Sequence, residues 1–129
     1  MGEMAYKTRI YYDDTDAGGV VYYANYLKYC ERAKQEFFLS KGCDLFKLHN
    51  EGIYLVVSEV KAKYKKSLKL GDEVEVSVAL KNIKRASVEL LFEIRNGDGD
   101  LAAEVEILSV SVDKDLKIVK LPECISNLT

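Results

Sequence analysis

Between Tyr22 and Lys41 the side chains of Tyr23, Leu27, Cys30, Ala33 and Phe37 recur at steps of three and four, with Lys28, Glu31, Arg32, Gln35 and Glu36 on the other faces. That spacing predicts one long amphipathic helix, and Lys41 followed by Gly42 predicts its end. Asp44 to Glu51 reads as a second, short helix with Asp44 as N-cap and Gly52 past its end. Elsewhere the period is two. Ile10 and Tyr12 alternate with Arg9 and Tyr11, which predicts a first strand over Lys7 to Asp13. After Gly52 the chain turns β-rich: Tyr54, Val56, Val60, Ala62 and Tyr64 share one face, Val74, Val76, Val78 and Leu80 another, and Val88, Leu90, Phe92 and Ile94 a third. NGDGD at Asn96 to Asp100 predicts a hairpin turn. The last strand switches phase, from Ala103, Val105 and Ile107 to Leu108, Val110 and Val112, which predicts a bulge. One strand, one long helix and a run of antiparallel strands is an α+β order. A curved sheet wrapping the helix buries its single apolar stripe.

With 129 residues and one proline, the chain reads as a single domain over 1–129, without linker or repeat. A net charge of −2 argues against a nucleic-acid partner, because phosphate-backbone binding draws on a basic excess. No apolar run is long enough for a membrane span and the first residues lack the apolar core of a secretory signal, so a cytoplasmic location is expected. Cys30, Cys43 and Cys124 are odd in number and lack metal-ligand spacing, so reduced, buried thiols are expected.

The segment Asp13 to Tyr26, DDTDAGGVVYYANY, carries the candidate chemistry. A helix begins there, yet Gly19, Val20 and Val21 stand where a capping side chain is usual. Gly18 and Gly19 allow a sharp turn and close approach to a ligand. Amides left free at a helix N-terminus suit an oxygen on which negative charge develops. Asp16, next to that terminus in sequence, supplies a carboxylate that can attack or act as base. Taken alone, Asp16 reads more simply as a turn residue. A calcium loop is disfavoured, because the twelfth position counted from Asp14 is Asn25 and a strand precedes the segment; no metal is expected. The only histidine, His49, lies on a different segment, so no acid stands ready to protonate an amine leaving group. A thiol of pKa about 8.5 leaves as thiolate with little acid help, which favours thioesters.

At these residues the chain resembles the acyl-CoA thioesterases of the hotdog fold, in the 4-hydroxybenzoyl-CoA thioesterase family and its YbgC-like branch. YYDDTDAGGVVYYANYLKYCERA is similar to the family motif D-x-D-x-x-G-x-V-x-x-x-N-Y. The resemblance implies a long central α-helix wrapped by a curved, mainly antiparallel sheet of five to six strands. It implies Asp16 as the catalytic aspartate and the backbone N–H of Tyr23, helped by the Gly18 and Gly19 region, as the group that polarises the thioester carbonyl. The YbgC-like branch often carries histidine where this chain has Tyr23; a backbone donor survives that exchange. Lys84 and Arg85 occupy a position comparable to that of basic family residues that contact coenzyme A phosphates, and without the resemblance a Lys-Arg pair in a turn reads as solvated surface. The resemblance also implies an acyl-CoA substrate, with acyl carrier protein as a second candidate carrier, and no cofactor beyond the coenzyme A of the substrate. Edge-to-edge homodimers, pairing again into a homotetramer, are implied as well. A non-catalytic hotdog module that binds acyl-CoA or acyl carrier protein is the alternative.

Overall fold

The computed structural model describes residues 2–128. Strand β1 (Glu3–Arg9) leads through a 3-10 turn (Tyr12–Asp14) to the long helix α1 (Tyr23–Ser40) and the short helix α2 (Leu45–Asn50). Strands β2 (Ile53–Tyr64), β3 (Glu73–Ile83), β4 (Ser87–Asn96) and β5 (Leu101–Asp113) follow, and a short helix α3 (Glu123–Ser126) comes last. The five strands form one antiparallel sheet in the order β1-β3-β4-β5-β2. This is the α+β, hotdog arrangement that the pattern and the resemblance led us to expect. No helix among the described residues is long and apolar enough to cross a membrane.

The period-two sets on β3 and β4 behave as read: Val74, Val76, Val78, Val88, Leu90, Phe92 and Ile94 are all buried. Each contributes roughly 1.5–3 kcal/mol by leaving water. They face the stripe of α1 made by Tyr26, Tyr29, Cys30, Ala33, Phe37 and Phe38. Tyr23, expected on that stripe, is 63% exposed. Tyr26 takes the interior instead: its hydroxyl accepts from Leu68 N–H at 3.1 Å and donates to the Lys66 carbonyl at 3.3 Å. Asp44 caps α2 as expected, accepting from Phe46 and Lys47 N–H at 3.0 and 3.2 Å. The Asn96 side chain closes the β4–β5 turn by accepting from Asp98 and Asp100 N–H, each at 3.0 Å.

Four expectations need correction. The first strand lies earlier than Lys7 to Asp13, because the chain leaves the sheet at Ile10 and its next residues coil into a 3-10 turn. The β5 phase does not switch: Ser109 and Ser111 continue the buried face of Ala103, Val105 and Ile107, while Leu108 and Val110 point the other way. The irregularity sits on the neighbouring strand, where Val57 and Glu59 pair with Ser109 and Leu108 and leave Ser58 over. Val60, Ala62 and Tyr64 therefore lie on the side of Ile107, Val105 and Ala103 while Tyr54 and Val56 face the other way, and the single β2 face that was expected is split. Small buried serines disguised the inner face of β5 as polar. Finally, Cys43 and Cys124 form a disulfide across 81 residues, and only Cys30 is free. No local spacing announces it, because the α1–α2 junction and α3 come together only in the folded chain.

β2 is the outer strand at one edge of the sheet, and it exposes Val56, Val57, Val60 and Tyr64. An exposed apolar edge is a place where another strand adds readily.

Candidate active site

Two short local structures build the segment between β1 and α1. First, Tyr12–Asp14 coil into the 3-10 turn, and the Asp14 side chain turns inward until the residue is only 6% exposed. Its Oδ2 accepts from Tyr11 N–H at 3.0 Å and its Oδ1 lies 3.0 Å from Lys28 Nζ. Burial by itself pushes this carboxyl up, but the Tyr11 amide and the Lys28 ammonium outweigh it and hold Asp14 below the ordinary carboxylate range.

Second, Asp16 to Val20 close a tight turn. The Asp16 carboxylate takes two amides of its own loop: Gly18 N–H donates to Oδ1 at 2.8 Å and Val20 N–H at 3.2 Å. Main-chain bonds complete it, from Asp16 N–H to the Val20 carbonyl and from Gly19 N–H to the Asp16 carbonyl, each at 3.0 Å. Gly19 has φ +76°, where a side chain is strained, and a Cβ on Gly18 would stand 3.3 Å from Asp16 Oδ1. The turn is anchored from outside by Val21 N–H to the Leu68 carbonyl and by Leu70 N–H to the Gly19 carbonyl, each at 2.9 Å. Asp16 itself is exposed.

The helix then begins without a side-chain cap: Tyr22 holds an extended φ/ψ of −62°/141° and its side chain accepts no hydrogen bond from the first turn. Asn25 N–H bonds the Tyr22 carbonyl at 3.0 Å. Among the described residues, the Tyr23 and Ala24 amides have no hydrogen-bond partner. The Tyr23 ring lies 4.5 Å from that of Tyr64 at the end of β2, and Tyr64 in turn meets the edge of Tyr26 at 5.2 Å. A partly exposed aromatic wall therefore stands beside open amides that carry the positive end of the helix dipole.

Asp16, Gly18, Gly19 and Tyr23 thus fall in one segment, as read. The glycine amides, however, are engaged inside the turn by Asp16, so the open donors are those of Tyr23 and Ala24. Lys84 and Arg85 are exposed and occupy the β3–β4 hairpin, where Lys84 N–H bonds the Ser87 carbonyl at 2.9 Å. Glu73 at the other end of β3 pairs with Arg9, next to the Asp16 segment. The length of β3 therefore separates the hairpin from Asp16 within one protomer, about 33 Å at 3.3 Å per residue.

Three contributors escaped the sequence reading. Asp14 and Asn25 entered that reading on their own account only as the first and twelfth positions of a disfavoured calcium loop, and Lys28 only as one of the polar residues off the apolar stripe. Asn25 Nδ2 donates to the Asp14 carbonyl at 2.9 Å. The i, i+3 spacing of Asn25 and Lys28 on one helical face was the available signal. Away from this segment, a cavity of about 160 Å³ lies between α1, α2 and β2, lined in part by Glu31, Lys34, Gln35, His49 and Tyr54. Lys34 is buried there with its Nζ 2.8 Å from Glu31.

Comparison with known proteins gives a consistent picture. Residues 11–127 match the model of a family described as the thioesterase-like superfamily. The acyl-CoA thioesterase YbgC of Helicobacter pylori is 41% identical over 88 residues, which is 68% of this chain. That match spans 64% of the Helicobacter pylori protein's length. The acyl-CoA thioester hydrolase YbgC of Escherichia coli O157:H7 is 33% identical over 108 residues, 84% of this chain and 81% of that protein. Among solved structures, a DHNA-CoA thioesterase from Staphylococcus aureus superposes with a TM-score of 0.89 at 25% identity, covering 95% of this chain and 87% of its own.

Proposed function

The chain belongs to the thioesterase-like superfamily, and from that premise we propose that it hydrolyses an acyl-CoA thioester to the free acid and coenzyme A. The observation that carries the proposal is the pairing, in one short segment, of an exposed carboxylate with a helix whose first amides have no partner in the described protein.

The thioester carbonyl oxygen accepts from Tyr23 N–H, with Ala24 N–H as its neighbour. As the carbonyl carbon becomes tetrahedral, the charge gathering on that oxygen is met by fixed donors that need no reorganisation, a contribution typically worth about 3 kcal/mol per donor. Asp16 Oδ1 is committed to Gly18 and Val20, so Oδ2 is the oxygen that acts. As general base it takes a proton from water while the water oxygen bonds the carbonyl carbon. As nucleophile it bonds that carbon itself, and the mixed anhydride is then hydrolysed. In both routes the C–S bond breaks and the thiolate leaves with its electron pair, consistent with a site that has no histidine in this segment.

A single copy holds Asp16 and Tyr23 but keeps Lys84 and Arg85 at the far end of the sheet. Antiparallel pairing of two β2 edges about a two-fold axis supports the missing element: it covers Val56, Val57 and Val60 and sets the start of one β2 beside the end of the other. The second copy's hairpin, with its Lys84 and Arg85, then lies toward the first copy's Asp16, where phosphates of coenzyme A would reach it. A homodimer is therefore part of the proposal, and further pairing into a tetramer is compatible with it. An acyl group on carrier protein presents the same thioester, so both carriers belong in the assay.

Thiol release from short, long, branched and aromatic acyl-CoAs, and from acyl carrier protein, tests the function with Asp16→Asn as control. Turnover by the parent and its loss in the variant support it. Ligand binding without turnover by the parent would instead identify a non-catalytic binding module.

A further inference from the structure

The Asn25 carboxamide and the Asp14–Lys28 pair take no part in the chemistry above, yet both join the Asp16 segment to the helix that supplies the open amides. Asn25 Nδ2 reaches back 11 residues to the Asp14 carbonyl at 2.9 Å. About one turn further along α1, Lys28 Nζ meets Asp14 Oδ1 at 3.0 Å. The main chain and the side chain of one buried residue, just upstream of Asp16, are thus both tied to the beginning of α1. Asp14 Oδ2 is fixed as well, by Tyr11 N–H at 3.0 Å. Downstream, the Val21–Leu68 and Gly19–Leu70 bonds hold the other flank.

Between these flanks lie Asp16, Ala17, Gly18 and Gly19, and adjacent glycines make such a stretch mobile unless its ends are held. Oxyanion catalysis is sensitive to that freedom: misplacing a reacting group by about 1 Å can cost on the order of a hundredfold. The bonds within the Asp16 turn fix its shape. The two to its carboxylate are exposed and hold only while the flanks of the turn are held, and where the turn sits relative to Tyr23 N–H is likewise a matter of what connects the segment to α1. Among the described residues, the side-chain bonds that make that connection run through Asp14.

We infer that Asn25 and Lys28, acting through Asp14, are positioning residues that hold the Asp16 turn in register with the amides at the start of α1. The inference rests on the thioesterase reading for its catalytic consequence. Asn25 and Lys28 touch neither substrate nor reacting atoms; they set the distance across which Asp16 and the Tyr23 amide work together.

The test combines steady-state kinetics with residue-resolved amide hydrogen exchange. In Asn25→Ala, exchange at the Gly18 and Val20 amides rises about tenfold or more, as expected for a local opening, while the Val76 and Phe92 amides of the sheet keep parent rates. kcat per folded molecule falls about tenfold or more with KM within about threefold, the split that loss of transition-state alignment produces. Lys28→Met repeats both effects, and Lys28→Arg, which keeps a cation for Asp14, restores most of each. Should Asn25→Ala fail to fold, the Lys28→Met and Lys28→Arg pair carries the same comparison. Parent-like exchange at Gly18 and Val20, or a rise shared equally by loop and sheet, overturns the inference. Two combinations separate it from the underlying reading. If Asp16→Asn keeps full turnover while Asn25→Ala frees the Gly18 and Val20 amides, the catalytic reading fails and the clamp is supported. If Asp16→Asn is inactive and Asn25→Ala leaves both loop exchange and kcat unchanged, the clamp fails and the thioesterase stands.

Discussion

Replacing Asp16 by asparagine removes the charge and keeps the shape, and the structure indicates how far stability and activity should part. In the parent, Oδ1 accepts from Gly18 N–H at 2.8 Å and Val20 N–H at 3.2 Å. An asparagine carbonyl can accept both, so the turn survives; exchanging a charged acceptor for a neutral one at an exposed site costs about 1 kcal/mol or less. Asp16→Ala leaves both amides without their acceptor and costs roughly 1–2 kcal/mol. With an unfolding entropy of about 2.1 cal/mol/K per residue, a chain of 129 residues loses about 4 °C of Tm per kcal/mol. Asp16→Asn should therefore melt within about 4 °C of the parent, and Asp16→Ala about 4–7 °C below it. Catalysis follows a different rule, because neither asparagine nor alanine can take a proton or attack as an anion. Both variants should lose about 10²–10⁴ in kcat. The assays are calorimetric melting and thiol release at saturating acyl-CoA. An Asp16→Asn enzyme within about threefold of parent kcat refutes the chemical role, whatever its Tm.

The remaining expectations use other parts of the molecule. Asp14 is held below the ordinary carboxylate range in the folded chain, so its stabilisation is full above the unfolded value, near 3.9, and is lost as pH falls through the lower folded value. Urea unfolding from pH 7 to pH 2 should show Asp14→Asn less stable at neutral pH and less sensitive to acid; an unchanged acid limb would contradict the burial argument. Thiol titration of the denatured, unreduced protein should find one thiol, Cys30, and three after reduction. Reduction should lower stability by up to about 4.5 kcal/mol, the chain-entropy value for a crosslink spanning 81 residues. Val57→Lys places a charge on the exposed β2 edge; sedimentation should show a dimer or larger for the parent and a shift toward monomer for the variant. A parent that sediments only as monomer would remove the shared site.

Local pattern carried much of the fold. Val74, Val76 and Val78 and the set from Val88 to Ile94 alternate because each faces a core on one side and other surroundings on the next, a constraint written into consecutive residues. The α1 period, the Asp44 cap and the Asn96 turn are local in the same sense, with partners only a few residues away. The DDTDAGGVVYYANY segment was legible as candidate chemistry because its glycines, its carboxylates and the uncapped helix are consecutive in the chain.

Other features depend on residues that meet only when the chain folds. Pattern alone does not say that β1 pairs with β3, or that β2 becomes an edge, because pairing order depends on which faces the helix covers. Ser109 and Ser111 are interior for a reason external to β5, namely the burial of their neighbours on the same face. Cys43 and Cys124 lie far apart in sequence and become bonded only through the final placement of α3. Asp13, Asp14 and Asp16 are alike in sequence, yet folding buries Asp14 against Lys28, leaves Asp16 exposed over its own turn, and sends Lys84 and Arg85 to the opposite end of the sheet. Residue type and spacing therefore determined which chemistry was available; packing decided which of three similar carboxylates is left exposed over its own turn and which is buried against α1.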